Sequence, residues 1–161
     1  MKTLYERDYH QWLNETISAI QQRRFSDVDW DNLVEELGDM GKADKNALLS
    51  NVKILVAHLL KLTIQHDAPA QMKGSWYNSV DEHRERVKDA LESIPSLQNY
   101  LPEAVSKSYP GARKLAIKEG KRASYGVRQP KEREYPQQYP FSIEQLLDED
   151  FYGHSNVEEM L

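Results

Sequence analysis

The stretch WDNLVEELGDMGKADKNALLSNVKILVAHLLKLTIQH, Trp30 to His66, decides the fold of this chain. Leu33, Leu37, Met40, Leu48, Val52, Leu55, Leu59 and Leu62 recur in it at spacings of three and four. The only long gap in that series holds the polar Asp44. An apolar residue at every third or fourth place lands on one side of an α-helix, so the stretch reads as one very long helix or two nearly collinear ones. At ~1.5 Å per residue, an unbroken helix would run roughly 50 Å, longer than a small domain is wide. Gly38 and Gly41 each cost about 1 kcal/mol of helix propensity relative to alanine. They mark 38–42 as the place for a bend, a break, or close approach by a neighbour. Asp67-Ala68-Pro69 ends the segment, because proline lacks the amide hydrogen and disfavours helical backbone just before it.

Working outward, Thr3-Leu4-Tyr5-Glu6 has the form of a capping box. Tyr9, Trp12, Leu13, Ile17 and Ile20 then form a helical stripe, predicting a first helix over 5–22. Asp27 or Asp29 caps the long segment. Past Pro69, residues 69–74 read as linker and Ser75 as the cap of a further helix, with Trp76, Val80, Val87, Ala90, Leu91 and Ile94 on one face and charges of both signs on the other. Leu97, Leu101, Val105, Ala112, Leu115 and Ala116 mark a fourth helical region. Pro102 and Pro110-Gly111 divide it into short pieces near 97–100, 102–109 and 111–119. From 121 to 140 the composition turns to Arg, Lys, Gln, Tyr and Pro. This predicts an extended arm held by Tyr125, Tyr135 and Tyr139. Ser142-Ile143-Glu144-Gln145 is a second capping box, opening a short helix to about Glu149; residues 153–161 read as a frayed tail. The fold class is all-α: one domain, a bundle of four to five helices organised on one long helix, with an extended arm and a short C-terminal helix.

Composition narrows the function classes. The 161 residues carry 21 basic and 26 acidic side chains, a net charge of −5, which disfavours nucleic acid as the main partner. Yet Lys107, Arg113, Lys114, Lys118, Lys121, Arg122, Arg128, Lys131 and Arg133 cluster between 106 and 133, followed by the acidic Glu144, Asp148, Glu149, Asp150, Glu158 and Glu159. Basic segment and acidic tail could dock on one another. No uninterrupted apolar run approaches the ~18 residues of a membrane span, so no membrane association is expected. The first residues meet charges too soon for a secretory segment. The absence of cysteine fits a reducing compartment and removes thiolate metal sites. A cytoplasmic chain is expected.

Several motifs fall in a familiar order: Tyr5, Asp8-Tyr9 and Trp12; Phe25, then Asp29-Trp30-Asp31-Asn32-Leu33-Val34-Glu35-Glu36-Leu37 and Gly41; His58-Leu59-Leu60-Lys61; Ser75-Trp76; Ser93-Ile94-Pro95-Ser96-Leu97; and Pro140-Phe141-Ser142-Ile143-Glu144-Gln145-Leu146-Leu147. This order, over residues 5 to about 152, resembles the DUF29 family. The resemblance implies an all-helical bundle and a bacterial, largely cyanobacterial, background, and it brings no established activity. Pro110-Gly111 departs from the family's charged helix and puts the length of the fourth helix in question.

Three candidate sites follow from residue types. Glu35, Glu36 and Asp39 are the most enzyme-like cluster. Glu-x-x-Asp sets the Glu36 and Asp39 carboxylates on one helix face, resembling half of the magnesium site of all-helical nucleotide pyrophosphatases. Glu82 and Glu85 are the candidate second pair; Arg84 and Arg86 beside them, and the frequency of such spacings on solvated faces, favour a plain surface. A polar flank of the long helix brings Glu35, Glu36 and His58 beside the apolar stripe, with Lys61, His58 and Arg84 as candidate partners for a buried carboxylate. His58 and His66 stand two turns apart, too far to share an ion, and His10, His83 and His154 add no ligand spacing. The third candidate is Arg113, Lys114, Lys118, Lys121 and Arg122, which could track phosphates with Tyr125 as a stacking face. No phosphate loop, nucleophile elbow or reactive cysteine is present. No cofactor is expected. The main reading is a non-catalytic helical protein–protein interaction module. The overhanging stripe of the long helix calls for a protein partner or a homodimer.

Overall fold

The computed structural model describes residues 1–122 and 128–153. Tyr125, His154, Glu158 and Glu159, named above, lie outside the described residues. The described residues form helices α1 (Leu4–Arg7), α2 (Tyr9–Gln21), α3 (Trp30–Ile64), α4 (Ala70–Ser93), α5 (Leu97–Gly120) and α6 (Ile143–Leu147), with 3₁₀ turns at Phe25–Asp27 and Glu132–Glu134. There is no strand among them, and the all-α class expected from the stripe is what the structure shows.

The chain divides within α3 into two compact units, Met1–Asp44 and Lys45–Leu161. α3 itself runs unbroken for 35 residues. Gly38 and Gly41 do not break it, and neither is closely approached by a neighbour, since a Cβ on either would meet nothing within 4 Å.

In the first unit, the predicted single helix over 5–22 is two helices. Asp8 adopts an extended backbone (φ −148°, ψ 90°) and uses its carboxylate to cap α2 through the Gln11 amide at 2.9 Å. The Thr3–Glu6 capping box is present. Asp29 caps α3 through the Asn32 amide at 3.3 Å. The small interior of this unit holds Trp12, Thr16, Ala19 and Val28, with Tyr5 edge-on to Trp12 at 4.8 Å.

The second unit holds the main core. Leu48, Val52, Leu55, Val56, Leu59, Leu60 and Leu62 of α3 are at most 1% exposed and pack with Trp76, Val80, Val87 and Leu91 of α4 and with Leu101, Ala104, Val105, Ala112 and Ala116 of α5. By the measure of mean hydropathy, α3 contains an 18-residue window of 1.5, long and apolar enough to cross a membrane, because averaging tolerates its few charges; 56% of that window is buried within the protein, as in a core helix.

α4 begins at Ala70 rather than Ser75, so the expected linker is helical: Met72 packs on the core one turn before Trp76, and Lys73 donates to the His66 carbonyl at 2.6 Å. α5 is a single helix through both prolines, not the three pieces the sequence predicts. Pro110 faces solvent, where water can satisfy the Ser106 carbonyl that loses its amide partner. Tyr109 and Ala112 on either side are buried and hold the axis in line. Gly111 serves close packing, its Cβ position lying 3.2 Å from the Lys53 side chain of α3.

Among the described residues of the arm, 128–140, no strand ladder takes the carbonyls, and side chains of the bundle take some of them instead. Arg113 donates to the carbonyls of Glu132, Tyr135 and Pro136 at 3.1–3.2 Å, and Tyr109 donates to Pro136 at 2.5 Å. Tyr135, 1% exposed, and the half-buried Tyr139 anchor the arm as expected. The second capping box is present, though α6 stops at Leu147, short of Glu149.

Candidate functional site

The stripe of α3 has two fates. From Leu48 to Leu62 it is core; from Trp30 to Met40 it is surface apart from the half-buried Leu33. Trp30 is 48% exposed, Val34 66%, Leu37 58% and Met40 65%. Ile17 and Ile20 of α2 and Phe25 of the 3₁₀ turn, in the same unit, are exposed as well. Isolated exposed hydrophobics are ordinary on protein surfaces, but a run at helical spacing on one 44-residue unit is not.

Glu36 does not reach any of the partners proposed for it. Its carboxylate accepts the hydroxyls of Tyr5 and, at 2.9 Å, Tyr9. The bond to Glu36 pushes the Tyr5 hydroxyl up to about 12, because a neighbouring carboxylate opposes a second negative charge. Tyr5 and Tyr9 thus clamp Glu36, and both rings pack on Trp12. Sequence reasoning missed it, although Tyr5 and Tyr9, four residues apart, carried the signal. Glu35 is exposed, and Asp39 forms a loose 3.9 Å pair with Lys42.

The other candidates of the polar flank lie in the second unit, each with its own partners. Lys61, 6% exposed, is held by Glu119 at 2.5 Å and stands over the Trp76 ring at 4.5 Å. Glu119 was not anticipated; it lies 58 residues away in sequence. His58 donates its Nδ1 hydrogen to the Ile54 carbonyl at 2.9 Å, and His83 does the same to Ser79 at 2.8 Å. Ser79 Oγ sits 3.3 Å from both Nδ1 atoms. With each Nδ1 already carrying its hydrogen toward a carbonyl, neither imidazole is placed there to act as a base on the Ser79 hydroxyl.

Burial lowers the pKa of His58, reinforced by Lys61 and His83 and opposed by the Ile54 carbonyl and Glu119. The folded state therefore binds fewer protons here than the unfolded state. The stability contribution is complete above the ordinary value of 6.5 and is lost as pH falls through the lower folded value. Thermal unfolding between pH 7.5 and 5 is expected to show a larger loss of stability in the native chain than in His58→Gln; equal slopes would contradict it.

Arg84, 2% exposed, is a clamp on the C-terminal segment. Its Nε donates to the Leu146 carbonyl at 2.8 Å and its Nη2 to the Phe151 carbonyl at 2.6 Å, while Nη1 has no hydrogen-bond partner. Glu82 pairs with Arg86 at 2.5 Å, and Glu85 is exposed. Among the described residues no three His, Asp or Glu side chains gather as a metal site.

Of the basic candidates, Arg113 is spent on the arm, and Arg128 is held by Asp67, Glu134 and the Ile64 carbonyl. The acidic segment docks through Glu149 on Lys88. Lys114, Lys118 and Lys121 line one cleft of about 500 Å³ together with Pro110, Arg113, Ile117 and Glu132; Arg122 is exposed and outside that lining.

These features define an all-α protein organised on one long helix, apolar along its whole length and covered along only part of it. The model of a family described as "Domain of unknown function DUF29" matches residues 4–152 of the 161, and the chain belongs to that family. No curated protein and no solved structure matches the chain.

Proposed function

We propose that this protein is a non-catalytic, cytoplasmic protein–protein interaction module whose contact surface is the N-terminal unit. The observation that carries the reading is the exposed stripe Trp30, Val34, Leu37 and Met40, a direct continuation of the stripe buried from Leu48 onward. Burying apolar area contributes about 25 cal/mol per Å², so such a run drives association wherever a complementary surface exists.

The basic cleft on α5 supports a weaker second surface. Its three exposed lysines suit an anion, but among the described residues its lining holds no aromatic ring for base stacking. Of the carboxylates of the magnesium reading, Glu36 is engaged with tyrosine hydroxyls and Glu82 with Arg86.

A photoreactive benzophenone side chain in place of Val34, introduced in the native cell, tests the reading. Irradiation is expected to give covalent adducts heavier than the 18.7 kDa chain. The same group in place of the exposed Glu15, on another face of α2, is expected to give none. Absence of adducts from position 34 contradicts the proposal.

A further inference from the structure

We infer that the exposed face is covered by a second copy of this chain, packed antiparallel along residues 30–42 of α3 about a two-fold axis near Gly38. This rests on the interaction reading above and names its partner.

The first argument is area. The N-terminal unit has 44 residues, and the side chains buried in it are few. A chain segment well under ~60 residues buries too little surface to be secure alone. Of its nine large exposed hydrophobics, the four on this part of α3, Trp30, Val34, Leu37 and Met40, offer on the order of 400 Å² together, about half of the ~800 Å² each partner contributes to a standard interface. A two-fold pairing of identical faces closes on itself and leaves no surface to propagate.

The second argument is size. At ~100° per residue, Trp30, Val34, Leu37 and Gly41 fall within a ~60° arc of α3, and Gly38 borders it. An antiparallel register about Gly38 sets Leu37 against the partner's Gly38, and Val34 against the partner's Gly41. Both glycines stand open, with nothing within 4 Å of a Cβ, so each large side chain meets a notch.

Charge gives the third argument. Glu35 and Lys42 lie on the same flank of the stripe, ~20° apart around the helix. In an antiparallel pair related by an axis perpendicular to both helices, that flank lies beside the same flank of the other copy. Glu35 then pairs with the partner's Lys42 twice over, by symmetry. Within one chain, Lys42 has only the 3.9 Å pair with Asp39, both side chains well exposed. A parallel pairing would set this flank against the side bearing Leu33 and Met40 and leave the charges unmatched.

The chain has no cysteine, so introduced cysteines report cleanly. Gly38→Cys is expected to cross-link to its own kind on mild oxidation, because residues on the axis approach within disulfide range. Glu35→Cys and Lys42→Cys are each expected to stay uncoupled alone and to couple when mixed. The unmodified chain is expected to sediment at twice 18.7 kDa at high micromolar concentration. A mass of 18.7 kDa throughout overturns the inference, as does self-coupling of Trp30→Cys, the mark of a parallel pair. Unchanged thermal unfolding of each reduced variant shows that the fold is intact. If the chain sediments as a monomer while position 34 still forms adducts with a different protein, the second-copy inference falls and the interaction reading stands; no adduct at all ends both.

Discussion

Arg84→Ala is expected to cost about 3 kcal/mol or more of unfolding free energy and to free the C-terminal segment. Arg84 belongs geometrically to the buried stripe of α4, since positions 76, 80, 84, 87 and 91 share one face and all are at most 7% exposed. Its stem packs as core, and its head reaches the Leu146 and Phe151 carbonyls. A hydrogen bond from a charged donor contributes ~1.5–3 kcal/mol, and losing the donor leaves the Leu146 carbonyl of α6 and the Phe151 carbonyl beyond it unpaired. The desolvation of the guanidinium, whose Nη1 goes unpartnered, offsets part of this. Arg84→Lys is expected to recover little, since a single ammonium cannot span two carbonyls as a planar fork does. Urea unfolding gives the energy, and limited proteolysis gives the location: cleavage within 139–152 is expected to rise before any cleavage in α3. The segment has further ties: Lys88 to Glu149, the Tyr152 hydroxyl to Asp81, and the Thr63 hydroxyl to the Gly153 carbonyl, where a positive φ of 90° and a Cβ position 2.7 Å from the Leu59 carbonyl require glycine. Stability unchanged in Arg84→Ala would show that the segment is held by its aromatic packing and its other polar ties without Arg84.

The second large effect contrasts two leucines of one stripe. Leu55 is 0% exposed and Leu37 is 58% exposed. Leu55→Ala is expected to cost ~2–5 kcal/mol, the transfer energy of the lost methyls plus the cavity they leave. Leu37→Ala is expected to change the stability of the dilute chain by no more than ~0.5 kcal/mol, as surface substitutions do. The same substitution should weaken association, because there Leu37 fills a partner's notch. Chemical denaturation at low micromolar concentration separates the two leucines. Equal losses would mean that the N-terminal part of α3 is buried in solution by its own chain.

The helical class and the long helix were legible because a stripe at spacings of three and four has few alternative readings. Boundaries were less so. Pro110-Gly111 reads locally as a breaker, but helix α5 is held by its buried stripe, and the proline faces water. Gly74 and Pro69 read as linker, but Met72 and Trp76 pack one turn apart and carry the helix across. Of the candidate site residues, Lys61 and Arg84 read as partners for a buried carboxylate, and Arg84 as part of a charged, solvated face; both are buried, and their partners were out of reach of local reasoning. Glu119 and the carbonyls of Leu146 and Phe151 lie some 58–67 residues away. Backbone carbonyls, moreover, leave no signature in side-chain sequence. Periodicity also cannot say which part of an apolar stripe is covered; that depends on where the other helices end.

On the proposed function, one stripe of α3 is core from Leu48 onward and contact surface from Trp30 to Met40. A photoreactive side chain moved along α3 in the native cell tests it most directly. Positions 30, 34 and 37 are expected to link to another polypeptide, and positions 52 and 55 only within the 18.7 kDa chain. The account is contradicted if position 34, like position 52, leaves the chain at its own mass.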